Sequence, residues 1–421
     1  MNEYTILNLN DGKVTAELSC FAPSGKVGEY HALLHVIDKD VSFAEQAAML
    51  FAALREMFAG ERLRGVRPVF KRYFLSDVTN QCEVVEAAEE SLPEPLRSAA
   101  AYVGQPPLDG SKLALWFYAV KGADVCNERY ALRPDRQLWQ EKQSELKDNP
   151  ASGETLRTTE YSELDTVVCH NGYTHYWTGG LECREGDSAY QTMYLLNGYE
   201  ERLRNLGCTL AGNCVRTWFL VQNVDVNYIG VVKARKANFA GQGLTEKTHY
   251  IASTGIEGKS ADARTSVHLD AYAVKGLGAA QQQYLYAPTH LNPTYEYGVT
   301  FERGTRVAYG DRSHFYISGT ASIDNKGKVL YAGDVEAQTR RMWENVEKLL
   351  EEGGAAFDDV AQMLIYLRDG ADYATVQALY ERRFPHTPKL FVLAPVCRPA
   401  WLIEMECIAL KRESNPEYRE F

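Results

Sequence analysis

The stretch QMLIYLR (362–368) has two earlier counterparts in the chain, RTWFLVQ (216–222) and KRYFLSD (71–77), at intervals of 146 and 145 residues. Each follows an amphipathic helix with a glutamine near its start: Gln46, Gln191 and Gln338. Each precedes a second helix and a closing strand ending in Ala119-Val120-Lys121, Ala273-Val274-Lys275 or Ala409-Leu410-Lys411. An apolar hairpin opens every copy. Three markers holding register in three copies identify an internal repeat, and a repeat decides the architecture before any single motif is read. The units expected are 1–125, 158–276 and 295–412, with the first the most degenerate.

The helices support this division. Phe43, Ala47, Leu50, Leu54, Met57 and Phe58 form one apolar face, as do Leu196, Tyr199 and Leu203, and Met342, Val346, Leu349 and Leu350. Two helices cover one face of a sheet, but VRTWFLV and AQMLIYL are nearly continuous in apolar residues and need cover on both faces. Three units satisfy that by packing bare sheet faces around a shared axis. The fold predicted is therefore α/β, an internal pseudo-trimer with sheets inside, helices outside and clefts at the junctions. Residues 133–155 read as a linker with room for one helical segment, 277–294 as a second linker, and 413–421 as a frayed tail.

Composition narrows the function. The net charge of −11, without any Lys/Arg run, argues against nucleic acid as a partner. No apolar run approaches the ~20 residues of a membrane helix, and the start of the chain lacks the pattern of a secretory signal. Nine scattered cysteines without CxxC pairs fit a reducing compartment. A cytoplasmic protein is expected. His170 and His175 have no third ligand at metal spacing, so no zinc site is expected. Nucleotide and acyl-transfer motifs are absent from the sequence.

The third unit, SGTASIDNKGKVLYAGDVEAQTRRMWENVEKLLEEGGAAFDDVAQMLIYLRD (318–369) with LIEMECIAL (402–410), resembles the Rid/YjgF family, which has a chorismate-mutase-like α/β fold and assembles as a trimer with sites between subunits. The resemblance implies three tandem Rid/YjgF-like units here. It also implies that Glu404 matches the glutamate that positions water for imine hydrolysis. The family's carboxylate-binding arginine has no clear counterpart, since TPKLF (387–391) offers only Lys389.

Residues 160–412 further resemble the chorismatases, which release pyruvate from chorismate. The elements are Arg216-Thr217-Trp218, an Asn227-Tyr228 turn, Asn238-Phe239, ASTGIEG (252–258), SGTAS (318–322) and VCRPAWLIEME (396–406). Gly241-Gln242 departs from the Gly-Arg usual there, and Glu257 intrudes into the TGIGG-like loop. Unit one is extra or much altered relative to that family. By this resemblance Glu404 is the general acid and Cys397 tilts the product toward 3-hydroxybenzoate.

The chemistry asks for such residues. Protonating the enolpyruvyl methylene of chorismate needs a carboxylic acid kept neutral by burial. Glu404 lies among the apolar residues Trp401, Leu402, Ile403, Met405 and Ile408, and the matching positions of the other units hold Ala114 and His268. Only one cleft of three is then competent. The alternatives are a solvent-facing Glu404 and a Cys397 that is merely a small buried hydrophobe. Two substrate carboxylates call for guanidinium or ammonium groups. The candidates are Arg303, Arg306, Arg368, Arg398 and Lys389, any of which could simply face water. Arg216 could equally pair with an acid such as Asp225. Ser253, Thr254 and Gly255 could form a small anion nest or an ordinary turn. Gly319 permits close backbone approach, and Ser322 is a further candidate or a turn residue.

The expectation is a cofactor-free, metal-free chorismatase-like lyase/hydrolase acting on a small carboxylate, monomeric and without membrane or nucleic-acid partners. The alternatives are a Rid-type imine deaminase and a non-catalytic binder of aromatic or keto acids.

Overall fold

A computed structural model describes residues 2–132 and 162–421. The linker expected at 133–155 lies outside the described residues. Three six-stranded mixed sheets share one topology. The first runs β1 (Glu3–Leu9), β2 (Val14–Phe21), β3 (Gly28–Val36), β6 (Leu113–Lys121), β4 (Arg67–Leu75), β5 (Ala99–Gly104) across the sheet. The second repeats that order as β7 (Asp124–Ala131), β8 (Ser162–His170), β9 (Tyr173–Glu182), β12 (Val267–Lys275), β10 (Cys214–Val221), β11 (Ala252–Glu257). The third is β13 (Gln282–Leu285), β14 (Gly304–Ala308), β15 (Arg312–Ala321), β18 (Ile403–Arg412), β16 (Val360–Leu367), β17 (Lys389–Leu393). In each sheet the last strand pairs parallel with its neighbour. Those crossovers contain the helices Val78–Glu90, Val224–Gly241 and Tyr373–Arg383.

The three glutamines share one task. Gln46 accepts from Lys112 N, Gln191 from Ser266 N and Val267 N, and Gln338 from Leu402 N. Each thereby ties the start of its helix to the chain entering the closing strand. This satisfies backbone groups that would otherwise be buried unpaired.

Several expectations need correction. Strand β7 follows the first unit in sequence but pairs with β8, and β13 lies within the segment read as a second linker. Both are the outer strand that β1 supplies to the first sheet. The residues 413–421 do not fray. Phe421 is 1% exposed, with its ring 4.4 Å from His170 and 4.6 Å from His314 and the Arg312 guanidinium 4.8 Å above it. The strand interval is 146 in both gaps, because Arg72 faces Trp116, Trp218 faces Asp270 and Leu364 faces Glu406. A one-residue slip sends a side chain to the other face. Lys71 consequently turns to the helix side, where it pairs with Glu89, whereas Arg216 turns inward.

The sheets do face inward. Phe70 and Trp116 of the first unit, Trp177, Trp218 and Tyr272 of the second, and Tyr316 and Leu364 of the third share one buried cluster. Across units, the Trp116 and Trp218 rings lie 6.1 Å apart, and the Tyr272 and Tyr316 rings 5.5 Å. Helix-facing cores lie outside, for example Leu50, Leu54 and Tyr73 in the first unit and Leu196, Tyr199 and Phe219 in the second. Each junction also carries a buried ion pair. Arg72 binds Asp270 at 2.6 Å, Arg216 binds Glu406 at 2.8 Å and Arg312 binds Glu29 at 2.8 Å. Each unit thus reaches the next, and the third closes on the first. No helix among the described residues is long and apolar enough to cross a membrane.

Candidate active site

Glu404 stands on β18 opposite Tyr366 of β16 and Ala321 of β15. The same closing-strand position holds Ala114 opposite Phe74 and His268 opposite Leu220. Glu404 is 5% exposed and makes no hydrogen bond to another described residue. Burial, reinforced by the charge of Glu406, pushes its carboxyl up to about 8 against the opposing pull of Arg303 and Arg216. It is therefore protonated at neutral pH. Gly319 leaves room for it, since a Cβ there would displace the Glu404 carboxyl.

The acid opens into a cavity of about 410 Å³ between the second and third sheets. The second unit contributes Tyr228, Ile229 and Arg235 from the Val224–Gly241 helix and Ser253, Thr254 and Gly255 from β11. The third contributes Tyr297, Phe301, Arg303, Gly319, Cys397, Arg398, Trp401 and Glu404. Three guanidinium groups thus line the cavity beside four aromatic side chains, Tyr228, Tyr297, Phe301 and Trp401, and none of the three forms an ion pair with a described carboxylate. Arg303 donates to the Asn292 carbonyl at 3.0 Å. Arg398 lies 4.7 Å over the Tyr297 ring and 4.9 Å over Trp401. Arg235 is fully buried, with long contacts to Thr300 Oγ1 (3.3 Å) and Ser253 Oγ (3.4 Å), and its Nη2 has no partner. An unpaired buried guanidinium is costly, so a carboxylate supplied by a ligand would satisfy it well.

Cys397 is half-buried beside Tyr228 and Glu404. Burial first, and the Glu404 carboxyl next, push its thiol up to about 12, so it stays S–H at neutral pH. It is not a primed nucleophile.

Other candidates lie elsewhere. Arg368 does not line the cavity; it is engaged bidentately at 2.7 and 2.9 Å by Asp225, an exposed residue on the cavity wall. Lys389 turns its ammonium to the carbonyls of Phe384 and Thr387. Ser322 donates to the Leu330 carbonyl, and Arg306 binds Glu413. Arg216 pairs with Glu406 rather than Asp225 and also donates to Thr254 and Ser318, stitching the junction behind Glu404.

The local conformations differ from expectation as well. Residues 253–255 lie in a strand, where parallel pairing with β10 aims successive N–H groups in opposite directions and leaves no nest. Asn227-Tyr228 sits in the first turns of a helix, not in a turn. Glu257 does not intrude on the cavity: its carboxylate accepts from Asn223 N and Val224 N and anchors the start of that helix. Asn238 donates to Asn197 of the neighbouring helix.

Sequence reasoning missed Arg235 and Tyr297, and it named Tyr228 only as part of the family resemblance. One signal was present for Arg235: it falls in the buried stripe Val231, Ala234, Arg235, Asn238, Phe239, where a charge demands a reason.

Comparisons with known proteins bear on this geometry. Residues 306–411 match the family described as Endoribonuclease L-PSP. A RutC family protein of Pyrococcus abyssi is 36% identical over 98 residues, which is 23% of this chain and 77% of that protein. A crystal structure of a chorismatase superposes with a TM-score of 0.56 at 16% identity, covering 82% of this chain and 93% of that one. The fold is thus shared well beyond residues 160–412, and the first unit belongs to the shared architecture rather than being an addition.

Proposed function

The chain belongs to the RutC family, in the Rid/YjgF superfamily, and on that premise we propose that it is a chorismatase-like enzyme releasing pyruvate from chorismate. The observation that carries this reading is Glu404, a buried, protonated carboxyl facing a cavity with three guanidinium groups free of carboxylate partners. Arg235, Arg303 and Arg398 would hold the two substrate carboxylates, and Tyr297, Phe301 and Trp401 would pack against the ring. Glu404 delivers its proton to the enolpyruvyl methylene, leaving an oxocarbenium centre. Water attacks that carbon and returns a proton to Glu404, and the new hydroxyl's proton passes to the ring oxygen as that oxygen leaves. The resulting hemiketal breaks its bond to the ring oxygen and releases pyruvate. Loss of water from the remaining dihydroxycyclohexadiene acid gives a hydroxybenzoate, with 3-hydroxybenzoate favoured by the position of Cys397.

The test mixes purified protein with chorismate and follows pyruvate through lactate dehydrogenase, with Glu404→Gln as control. No pyruvate, or equal rates from both proteins, would end this reading. Family membership also favours a second reading, imine hydrolysis by a Glu404-positioned water. The family's carboxylate-binding arginine has no counterpart at Lys389, which lies outside the cavity, so ammonia release from 2-iminobutyrate is expected to be poor unless Arg235, Arg303 or Arg398 takes that role. Tight binding of an aromatic acid with no turnover of either substrate would instead indicate a non-catalytic binder.

A further inference from the structure

A second cleft, of about 1020 Å³, lies at the junction of the first and second units. It is bounded by the Val78–Glu90 helix and β5 on one side and by β9 and β12 on the other. At its floor stands His268, in the strand position that Glu404 occupies in the other cleft. His268 is 1% exposed, and neither ring nitrogen has a hydrogen-bond partner. Its strand neighbour Glu182 replaces Ala321 and also lines the cavity. Burial pushes His268 down to about 4 and raises the Glu182 carboxyl. A neutral imidazole keeps one N–H and one acceptor nitrogen, and both are unpartnered here, so the acceptor nitrogen is open to a ligand's donor.

The rim gives the sign of that partner's charge. Glu83, Glu86 and Glu90 recur at three and four residues along one helix face and line the mouth. Of the lining acids, Glu89 is matched by the buried Lys71 behind the cleft and Asp262 by Arg184. Four carboxylates then face two exposed guanidinium groups, Arg97 and Arg129. No group of three or more His, Cys, Asp or Glu side chains among the described residues is arranged to hold a metal ion.

We propose that this cleft binds a small aliphatic polyamine, one ammonium group held by the Glu83/Glu86/Glu90 rim and another donating to His268 at the floor. The site is separate from the Glu404 cavity and opposite to it in charge preference.

The test is calorimetric titration of the full chain with spermidine and with 1,4-diaminobutane at low salt, alongside NMR of 15N-histidine-labelled protein. The expected result is one saturable site per chain, with the His268 ring resonances moving on binding. Glu83→Gln/Glu86→Gln/Glu90→Gln, all exposed and tolerant positions, should weaken it by about tenfold or more, while Glu404→Gln leaves it unchanged. Absence of saturable binding would overturn the proposal. So would equal affinity in the triple variant, an unmoved His268 signal, or displacement of the amine by benzoate.

Discussion

Arg235 distinguishes a ligand-binding site from a merely buried cluster. A structural arginine in this position would be matched by a carboxylate, and its loss would destabilise the fold. Here the partner is missing, so Arg235→Met removes an uncompensated charge while keeping the volume. Thermal denaturation should show equal or higher stability. The KM for chorismate should rise about 10–100-fold, the worth of a charge-assisted bond of roughly 1.5–3 kcal/mol. Lower stability with unchanged KM would assign the residue to the scaffold. At this scale the sequence was informative about polarity and silent about partners. Glu404 was legible through the family resemblance, although an acid on this strand also has a plain structural role to play, as Glu406 does by pairing with Arg216. Arg368 and Lys389 were as plausible as Arg303 on paper, and only the fold shows them occupied by Asp225 and by backbone carbonyls.

The Val224–Gly241 helix carries Tyr228 and Arg235 into the cavity, and its start is fixed by an unusual device. Asn223 has φ of 51° and its side chain caps nothing, while the Glu257 carboxylate takes the first free N–H groups from across the sheet. A carboxylate at that end also opposes the helix dipole favourably. Glu257→Ala should cost about 1 kcal/mol in denaturant unfolding. It should also raise KM more than it lowers kcat, because the binding groups move and the acid does not. A stable variant with unchanged KM would contradict this coupling. Read as sequence, Glu257 was an intrusion into a binding loop. Its real target lies 33 and 34 residues away, a separation that periodicity cannot reveal. Spacing did better with the repeated glutamines, which marked equivalent points of three units although their bonding was invisible.

The three units close into a ring through three buried ion pairs, and the ring gives the site its walls. Arg72→Leu strands Asp270 in the centre and should cost about 3–5 kcal/mol. Urea unfolding should remain a single transition, because the cluster containing Phe70, Trp218 and Tyr316 belongs to every unit at once. Separate transitions would show independent units. Acid should act on the whole assembly as well. Burial pushes His31 down to about 3 and His170 and His268 to about 4, all below the ~6.5 of an unfolded histidine. Their contribution is fully present above about pH 6.5 and is lost as pH falls toward the folded values, by about 1.4 kcal/mol per unit for each group. The urea midpoint should therefore drop between pH 6.5 and 4.5, and a flat profile would contradict this. The triplicate architecture was legible because three copies hold register. The cyclic ion pairs were not: Asp270 and Glu406 are equivalent positions, whereas Arg72 and Arg216 are not, and Glu29 lies on a different strand altogether.

The site depends most on one protonation state. Above a pH of about 8 Glu404 would ionise beside Glu406 and lose the proton it is positioned to deliver, so kcat/KM should fall as pH rises through that value. Direct titration of the carboxyl by NMR, with 13C-labelled glutamate and Glu404→Gln for assignment, tests this most squarely. A signal that is protonated at pH 7 and titrates near 8 is the expected result. Titration near 4, as for an ordinary glutamate, would contradict it.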